Sequence, residues 1–124
     1  MTIKELYEQI GGCYESALRT MQMDRLIERF LPRYLDDTNC QKLLDAKAAG
    51  DEKGIFEASH AMKGLCANLG LDALSGAASD ITEEFRPGKA RTMTDAELDA
   101  KFAELEELHN RAVSGIRAYT AQKA

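Results

Sequence analysis

Apolar residues recur every three to four positions through most of the chain, which is the spacing of amphipathic helices. The longest such run lies near the carboxyl end, where Thr94 and Glu97 form a capping box that can start a helix. Its seam alternates by four and three residues and consists of Leu98, Phe102, Leu105, His109, Ala112, Ile116 and Tyr119. A second stripe predicts a helix over about residues 72–86, which Pro87 and Gly88 end. Its apolar residues are Leu71, Leu74, Ala78, Ile81 and Phe85.

A third periodic segment runs from Asp51, which can cap a helix at its start, to Gly70, which can close one. At about 100° of rotation per residue, its apolar positions fall within about a third of a turn and define one buried face. These positions are Ile55, Ala58, Met62, Leu65, Cys66 and Leu69. His60 lies about 170° from the centre of that face, so its imidazole is predicted to point outward. His109 lies instead on the core seam of the last helix, where we expect a packing histidine.

Shorter periodic stretches predict four more helices, over about residues 3–10, 13–21, 24–34 and 39–49. Pro32 should kink or break the third, because proline lacks the N–H that bonds to the carbonyl four residues back. We expect the helix around Phe30 and the three long helices to form a four-helix bundle. The predicted fold class is therefore all-α, a single domain over residues 1–124 with short helices over 1–22 and the bundle over 24–120.

The composition bears on three questions: whether the protein binds nucleic acid or membranes, where in the cell it lies, and whether its cysteines form disulfides. The net charge of −5 argues against a surface for nucleic acid or for an anionic membrane, since both reward a basic patch. No apolar run is long enough to span a bilayer and no signal-peptide pattern opens the chain, so we expect a cytoplasmic protein. Cys13, Cys40 and Cys66 are an odd number without a C-x-x-C pair, which favours reduced thiols over a disulfide framework.

Four residues share the predicted outward surface with His60. Lys63 and Gly64 follow it by three and four positions, Phe56 precedes it by four, and Ala67 lies two turns along. The ammonium of Lys63 could offset the charge of a phosphoryl group on the imidazole. Glycine inside a helix costs about 1 kcal/mol relative to alanine, but a bare backbone at Gly64 would let a partner's active site close around the ring. Phe56 and Ala67 would give an apolar rim on which the partner docks.

The segment 59–70 resembles the signature of histidine-containing phosphotransfer (HPt) domains. That signature is a small residue, His, any residue, an aliphatic residue, Lys and Gly, and then a second Gly six residues later. The matching residues are His60, Lys63, Gly64 and Gly70, with Met62 where leucine is commoner and Leu74 at the usual leucine of the following helix.

The resemblance implies a phosphorelay carrier. On this interpretation His60 accepts a phosphoryl group from the aspartate of a receiver domain and passes it to another receiver, and the chain has no kinase or phosphatase activity of its own. The implied partners are response-regulator receiver domains and hybrid histidine kinases. The chain itself would need no cofactor, because Mg²⁺ and the acidic pocket belong to the receiver. A relay needs no dimer, so we expect a monomer, and Met1 with the polar carboxyl end favours a free-standing member.

Three other interpretations compete with the relay. A helical adaptor could dock partners on the surface around His60 without being phosphorylated. The phosphoacceptor domain of a chemotaxis-type histidine kinase uses a similar bundle, but further domains normally follow it. A metal site is the weakest, because His60 and Cys66 lie about 120° apart around their helix and cannot share an ion.

Overall fold

The computed structural model describes residues 1–123, so Ala124, the last residue of the predicted domain, lies outside the described residues. The helices are α1 (Ile3–Gln9), α2 (Tyr14–Met21), α3 (Asp24–Phe30), a 3-10 helix (Leu31–Asp36), α4 (Asn39–Ala49), α5 (Glu52–Asn68), α6 (Asp72–Glu84) and α7 (Asp95–Lys123). Residues 1–123 contain no strand, and the all-α prediction is confirmed. None of the helices in this range is long and apolar enough to cross a membrane.

Side chains fix the starts of three helices at the predicted places. At α1 the Thr2 N–H donates to Glu5 Oε1 at 2.8 Å, and the Glu5 N–H donates to Thr2 Oγ1 at 3.1 Å. The same reciprocal pair joins Thr94 and Glu97 at α7, at 2.9 and 3.1 Å. The Asp51 carboxylate accepts a backbone N–H from the first turn of α5 at 3.0 Å. Each bond satisfies a donor that the helix itself leaves unpaired. The carboxyl end of α6 differs slightly from the prediction: the helix ends at Glu84, two residues earlier than expected.

The bundle contains α5, α6 and α7 as predicted, but its fourth helix is α4. The expectation that the helix around Phe30 would fill this place is wrong. Proline cannot continue the α-helical hydrogen bonds, so α3 ends at Phe30 and the chain continues as a 3-10 helix with Pro32 in its first turn. The longer α4 packs along α5 and also reaches α7, where Lys47 Nζ lies 2.9 Å from the Asp99 carboxylate.

The apolar seam of α7 lies in the core, except that Leu108 is buried where His109 was expected. Six of the seven predicted positions are buried, and Leu108 is buried beside them: Leu98, Phe102, Leu105, Leu108, Ala112, Ile116 and Tyr119. His109 is half-buried, and its Nδ1 lies 2.6 Å from the Tyr34 hydroxyl. Burial lowers the pKa of His109. The prediction of a packing histidine is confirmed.

The amino-terminal helices hold the end of α5. The Tyr7 hydroxyl donates to the Leu69 carbonyl at 2.6 Å, and the Cys13 N–H donates to the Gly70 carbonyl at 2.8 Å. Gly70 has a φ of +73° and closes the helix as predicted. A Cβ at Gly70 would come within 2.8 Å of the Ala17 side chain, so glycine also permits the close approach of α2. These contacts fix the carboxyl end of the helix that carries His60.

Candidate functional site

His60 lies near the middle of α5 and is exposed, on the side away from the core. The opposite face packs inward through Ile55, Ala58, Met62 and Cys66, which are all buried. Leu65, predicted to belong to the same face, is only half-buried. The outward direction of His60, derived from helical geometry, is therefore confirmed.

The ring of Phe56 lies against the imidazole of His60. The two ring centroids are 5.7 Å apart, and the ring planes differ by only 10°. Phe56 is itself half-buried, so one edge of its ring is anchored to the bundle. A stacked neighbour on a rigid helix restricts the rotation of an otherwise free imidazole. The side chain of His60 is thus displayed with a defined ring plane.

Gly64 lies one turn beyond His60 and is exposed. A Cβ added at Gly64 would meet no atom within 4 Å, and the residue lies in the interior of α5. Neither a turn nor a close contact within residues 1–123 requires glycine here. Alanine would stabilise the helix, and position 64 is open to whatever approaches α5 from outside.

Lys63 is half-buried on the same surface as His60; its backbone is bonded to α6, and its ammonium has no ion-pair partner among the described residues. Its backbone carbonyl accepts a hydrogen bond from Ser75 Oγ of α6 at 3.0 Å. Among the described residues no carboxylate lies within ion-pair distance of its ammonium, although its positive charge contributes to lowering the pKa of Glu83. The ammonium is therefore available for an added negative charge on this surface.

Arg86 belongs to this surface, although the sequence indicated only that it ends a helix. Its guanidinium carbon lies 5.6 Å from the centre of the Phe56 ring. Two of its nitrogens hold the Glu83 carboxylate, at 3.1 and 2.7 Å, and these bonds lower the pKa of Glu83. Antiparallel pairing of α5 and α6 about the turn at Gly70 brings residue 86 beside residue 56. Treating the two helices as a hairpin would have found this neighbour.

A buried polar contact lies directly beneath the site. Ser59 and Thr82 are fully buried, and their hydroxyl oxygens are 3.0 Å apart. Ser59 Oγ donates to the Phe56 carbonyl at 3.2 Å, and Thr82 Oγ1 also lies 2.8 Å from the Ala78 carbonyl. The sequence had given Ser59 no role beyond that of a small residue. In the structure it joins α5 to α6 next to His60.

Ala67 is exposed on α5, about 10 Å along the helix axis from His60. It lies too far from the imidazole to touch it, so its predicted part in docking stays a prediction. Within residues 1–123 no group of three or more His, Cys, Asp or Glu side chains could hold a metal ion. The three cysteines are free thiols, and burial raises the pKa of Cys40 to about 11 and that of Cys66 to about 12.

Comparison with known proteins gives one match. The model of the family described as Hpt domain matches residues 22–115. No curated protein and no solved structure matches the chain. The matched range includes His60 and most of the bundle.

Proposed function

Because the chain belongs to the Hpt domain family, we propose that it accepts a phosphoryl group on His60 from a receiver-domain aspartate and passes it to another receiver. Members of this family are phosphocarriers in two-component signalling rather than kinases or phosphatases. The observation that supports His60 as the acceptor is its exposed imidazole in the middle of α5. The other histidine, His109, is half-buried and bonded to Tyr34.

The transfer needs little from this chain beyond an oriented nucleophile. One ring nitrogen of His60 attacks the phosphorus of the aspartyl phosphate, a P–N bond forms, and the P–O bond to the aspartate breaks. The electron pair of that bond returns to the aspartate as a carboxylate, and the other ring nitrogen keeps its proton. Transfer to the next receiver reverses these changes. Positioning and charge neutralisation govern such reactions. We expect Mg²⁺ on the receiver and no cofactor on this chain.

Three neighbours support His60 in this role. The Phe56 ring holds the imidazole plane, with ring planes that differ by 10°. The unpaired ammonium of Lys63 would compensate the negative charge of the phosphoryl group through a charge-assisted hydrogen bond. The open space around Gly64 leaves room for the receiver's loops to reach the ring.

The test is to mix the protein with a receiver domain carrying a labelled aspartyl phosphate and to follow the label. We expect label on this chain in an acid-labile form, as a phosphohistidine requires. It should be absent from His60→Gln and present in His109→Gln, the matched control. Label that persists in His60→Gln would overturn the assignment. A wild-type chain that binds receivers but takes no label would instead favour the adaptor function.

A further inference from the structure

Two clefts of opposite charge flank α5, one on each side of His60. The first, which we call the basic cleft, lies between the first turns of α5 and the loop after α6 and has a volume of about 420 Å³. Its charged residues are four cations, Lys53, Arg86, Lys89 and Arg91, and two carboxylates, Glu52 and Glu84. The second, the α4 groove, lies between α4 and α5 and measures about 500 Å³. Its charged residues are Lys42, Asp45, Asp51 and Glu57.

The basic cleft has an apolar floor beneath its cations. Phe56 and Phe85 both line it, and each ring carries a guanidinium. Arg86 lies 5.6 Å from the centre of the Phe56 ring, and Arg91 lies 4.5 Å from that of Phe85. The imidazole of His60 lies against the Phe56 ring, and guanidinium groups lie over the Phe56 and Phe85 rings, so the cleft offers ring edges next to cations. Such edges accept an apolar side chain beside an anionic group.

Glu84 holds the cleft in shape. Its carboxylate is buried, and it accepts hydrogen bonds from the Thr92 N–H at 2.8 Å, the Thr92 hydroxyl at 2.7 Å and the Met93 N–H at 2.8 Å. These bonds lower the pKa of Glu84, so the carboxylate stays charged. The loop is thereby tied to the end of α6, and the wall of the cleft exists before any partner binds.

Some of the positive charge in the basic cleft is unpaired. Arg86 is bonded to Glu83, and Arg91 lies 3.5 to 3.6 Å from the carboxylates of Glu52 and Glu84. For Lys53 and Lys89, in contrast, residues 1–123 supply no carboxylate within ion-pair distance. The chain as a whole has a net charge of −5, so this cleft is a local region of positive charge on a protein that is negative overall.

The basic cleft and the phosphoacceptor share one side chain. Phe56 forms part of the cleft floor and also stacks on the imidazole of His60. A partner that covers His60 therefore meets the cleft next to it. On the opposite side it meets the α4 groove, where three carboxylates outnumber the single lysine.

We propose that the basic cleft docks an acidic segment with an apolar side chain on the receiver that exchanges phosphate with His60. This rests on the proposed function and adds to it the side from which the partner approaches. The apolar side chain would lie against the ring edges of Phe56 and Phe85, and carboxylates of the receiver would pair with Lys53 and Lys89. Charge complementarity selects this side, since an acidic surface is repelled by the α4 groove and attracted by the basic cleft.

The test compares two double charge reversals in the full chain. Lys53→Glu/Lys89→Glu alters the basic cleft, and Lys4→Glu/Arg117→Glu makes the same change of net charge at exposed positions of α1 and α7 that line neither cleft. Binding to each receiver domain of the same genome is measured by calorimetry at two salt concentrations. We expect the first pair to weaken binding about tenfold or more and to reduce its salt dependence, and the second to change it less than about twofold. Lys53→Gln/Lys89→Gln should fall between wild type and the reversal.

Two further measurements separate docking from chemistry. Phosphoramidate, a small phosphoryl donor that needs no docking surface, should label His60 equally in wild type and in Lys53→Glu/Lys89→Glu. His60→Gln should bind receivers as wild type does. Receivers that bind through the cleft without transferring label would leave this proposal standing and overturn the relay. The docking proposal would be overturned by any of three results. The two double reversals weaken binding equally, the first does not weaken it, or no receiver binds at all.

Discussion

Gly64 weakens α5 without any need for glycine in the chain's own packing, because a Cβ there would meet only open space. Gly64→Ala should therefore raise the free energy of unfolding by about 1 kcal/mol, the difference in helix propensity. Gly64→Gln should slow phosphoryl transfer from a receiver about tenfold or more, since it crowds the approach to His60. Stability is measured by urea unfolding and transfer by single-turnover labelling.

The matched control for this prediction is Gly76, which is also exposed inside a helix with nothing within 4 Å of an added Cβ. Gly76→Ala should stabilise α6 to a similar extent, and Gly76→Gln should leave transfer unchanged. Transfer that is equally fast in Gly64→Gln would remove the argument that glycine at position 64 makes room for a partner.

In the proposed transfer, half-buried Lys63 would support the phosphoryl group as a charge and not as the nucleophile. A partly exposed ion pair contributes at most about 1 kcal/mol, so Lys63→Ala should slow transfer by about fivefold at most. Lys63→Arg should retain most of the rate because it keeps the charge. The measurement is single-turnover transfer at saturating receiver. A loss as complete as that of His60→Gln would mean that the ammonium has a different role.

The sequence predicted those side chains whose position depends on a single helix. The rotation of about 100° per residue separates His60 from the buried face and sets Phe56, Lys63 and Gly64 around it. Arg86 could not be found in this way, because its contact with Phe56 depends on how α5 and α6 pair. The same holds for the hydrogen bond between Ser59 and Thr82, which joins two helices.

At the scale of helices, the pairing of α5 with α6 is fixed by two polar contacts as well as by the core. Ser75 of α6 donates to the Lys63 carbonyl, and the Thr82 hydroxyl meets Ser59 beneath the site. A buried hydrogen bond contributes about 1 kcal/mol, so Thr82→Val should lower the free energy of unfolding by about that amount. Urea unfolding of this isosteric variant measures the effect.

Thr120 provides the comparison for Thr82. Its hydroxyl also bonds to a carbonyl of its own helix, Arg117 at 3.0 Å, but it lies near the exposed end of α7. Thr120→Val should therefore change stability by less than about 0.5 kcal/mol. If the two variants lose equal stability, the contact between Ser59 and Thr82 has no special part in joining the helices.

The choice of the fourth bundle helix was also beyond the sequence. Periodicity indicated a helix over about residues 24–34, which Pro32 should kink or break, and another over 39–49; the first was expected to join the bundle. The structure shows that proline ends α3 after seven residues, which leaves too short a helix to run beside α5. The start and end of a helix depend on local side-chain chemistry and could be predicted. Which helices pack together depends on the final helix lengths and on the angles between helix axes, and no local sequence pattern contains these.

At the scale of the whole molecule, the contact between α7 and the 3-10 helix should make stability depend on pH. His109 Nδ1 lies 2.6 Å from the Tyr34 hydroxyl, which keeps its proton because burial raises the pKa of Tyr34. Burial also lowers the pKa of His109 from its ordinary value of 6.5, although the carboxylates of Asp37 and Glu106 act in the opposite direction. The folded state thus favours the neutral imidazole.

The sign of the effect follows from which state binds more protons. Below pH 6.5 the unfolded chain binds a proton at His109, whereas the folded chain keeps the neutral imidazole to a lower pH. The contribution of neutral His109 to the free energy of unfolding is therefore present above pH 6.5 and is lost as the pH falls through the lower pKa of the folded state. Urea unfolding between pH 5 and pH 8 should show wild type losing more stability toward acid than His109→Gln, which cannot titrate there. Parallel profiles for the two proteins would contradict this. A smaller loss in wild type would mean that Asp37 and Glu106 outweigh burial and stabilise the protonated ring.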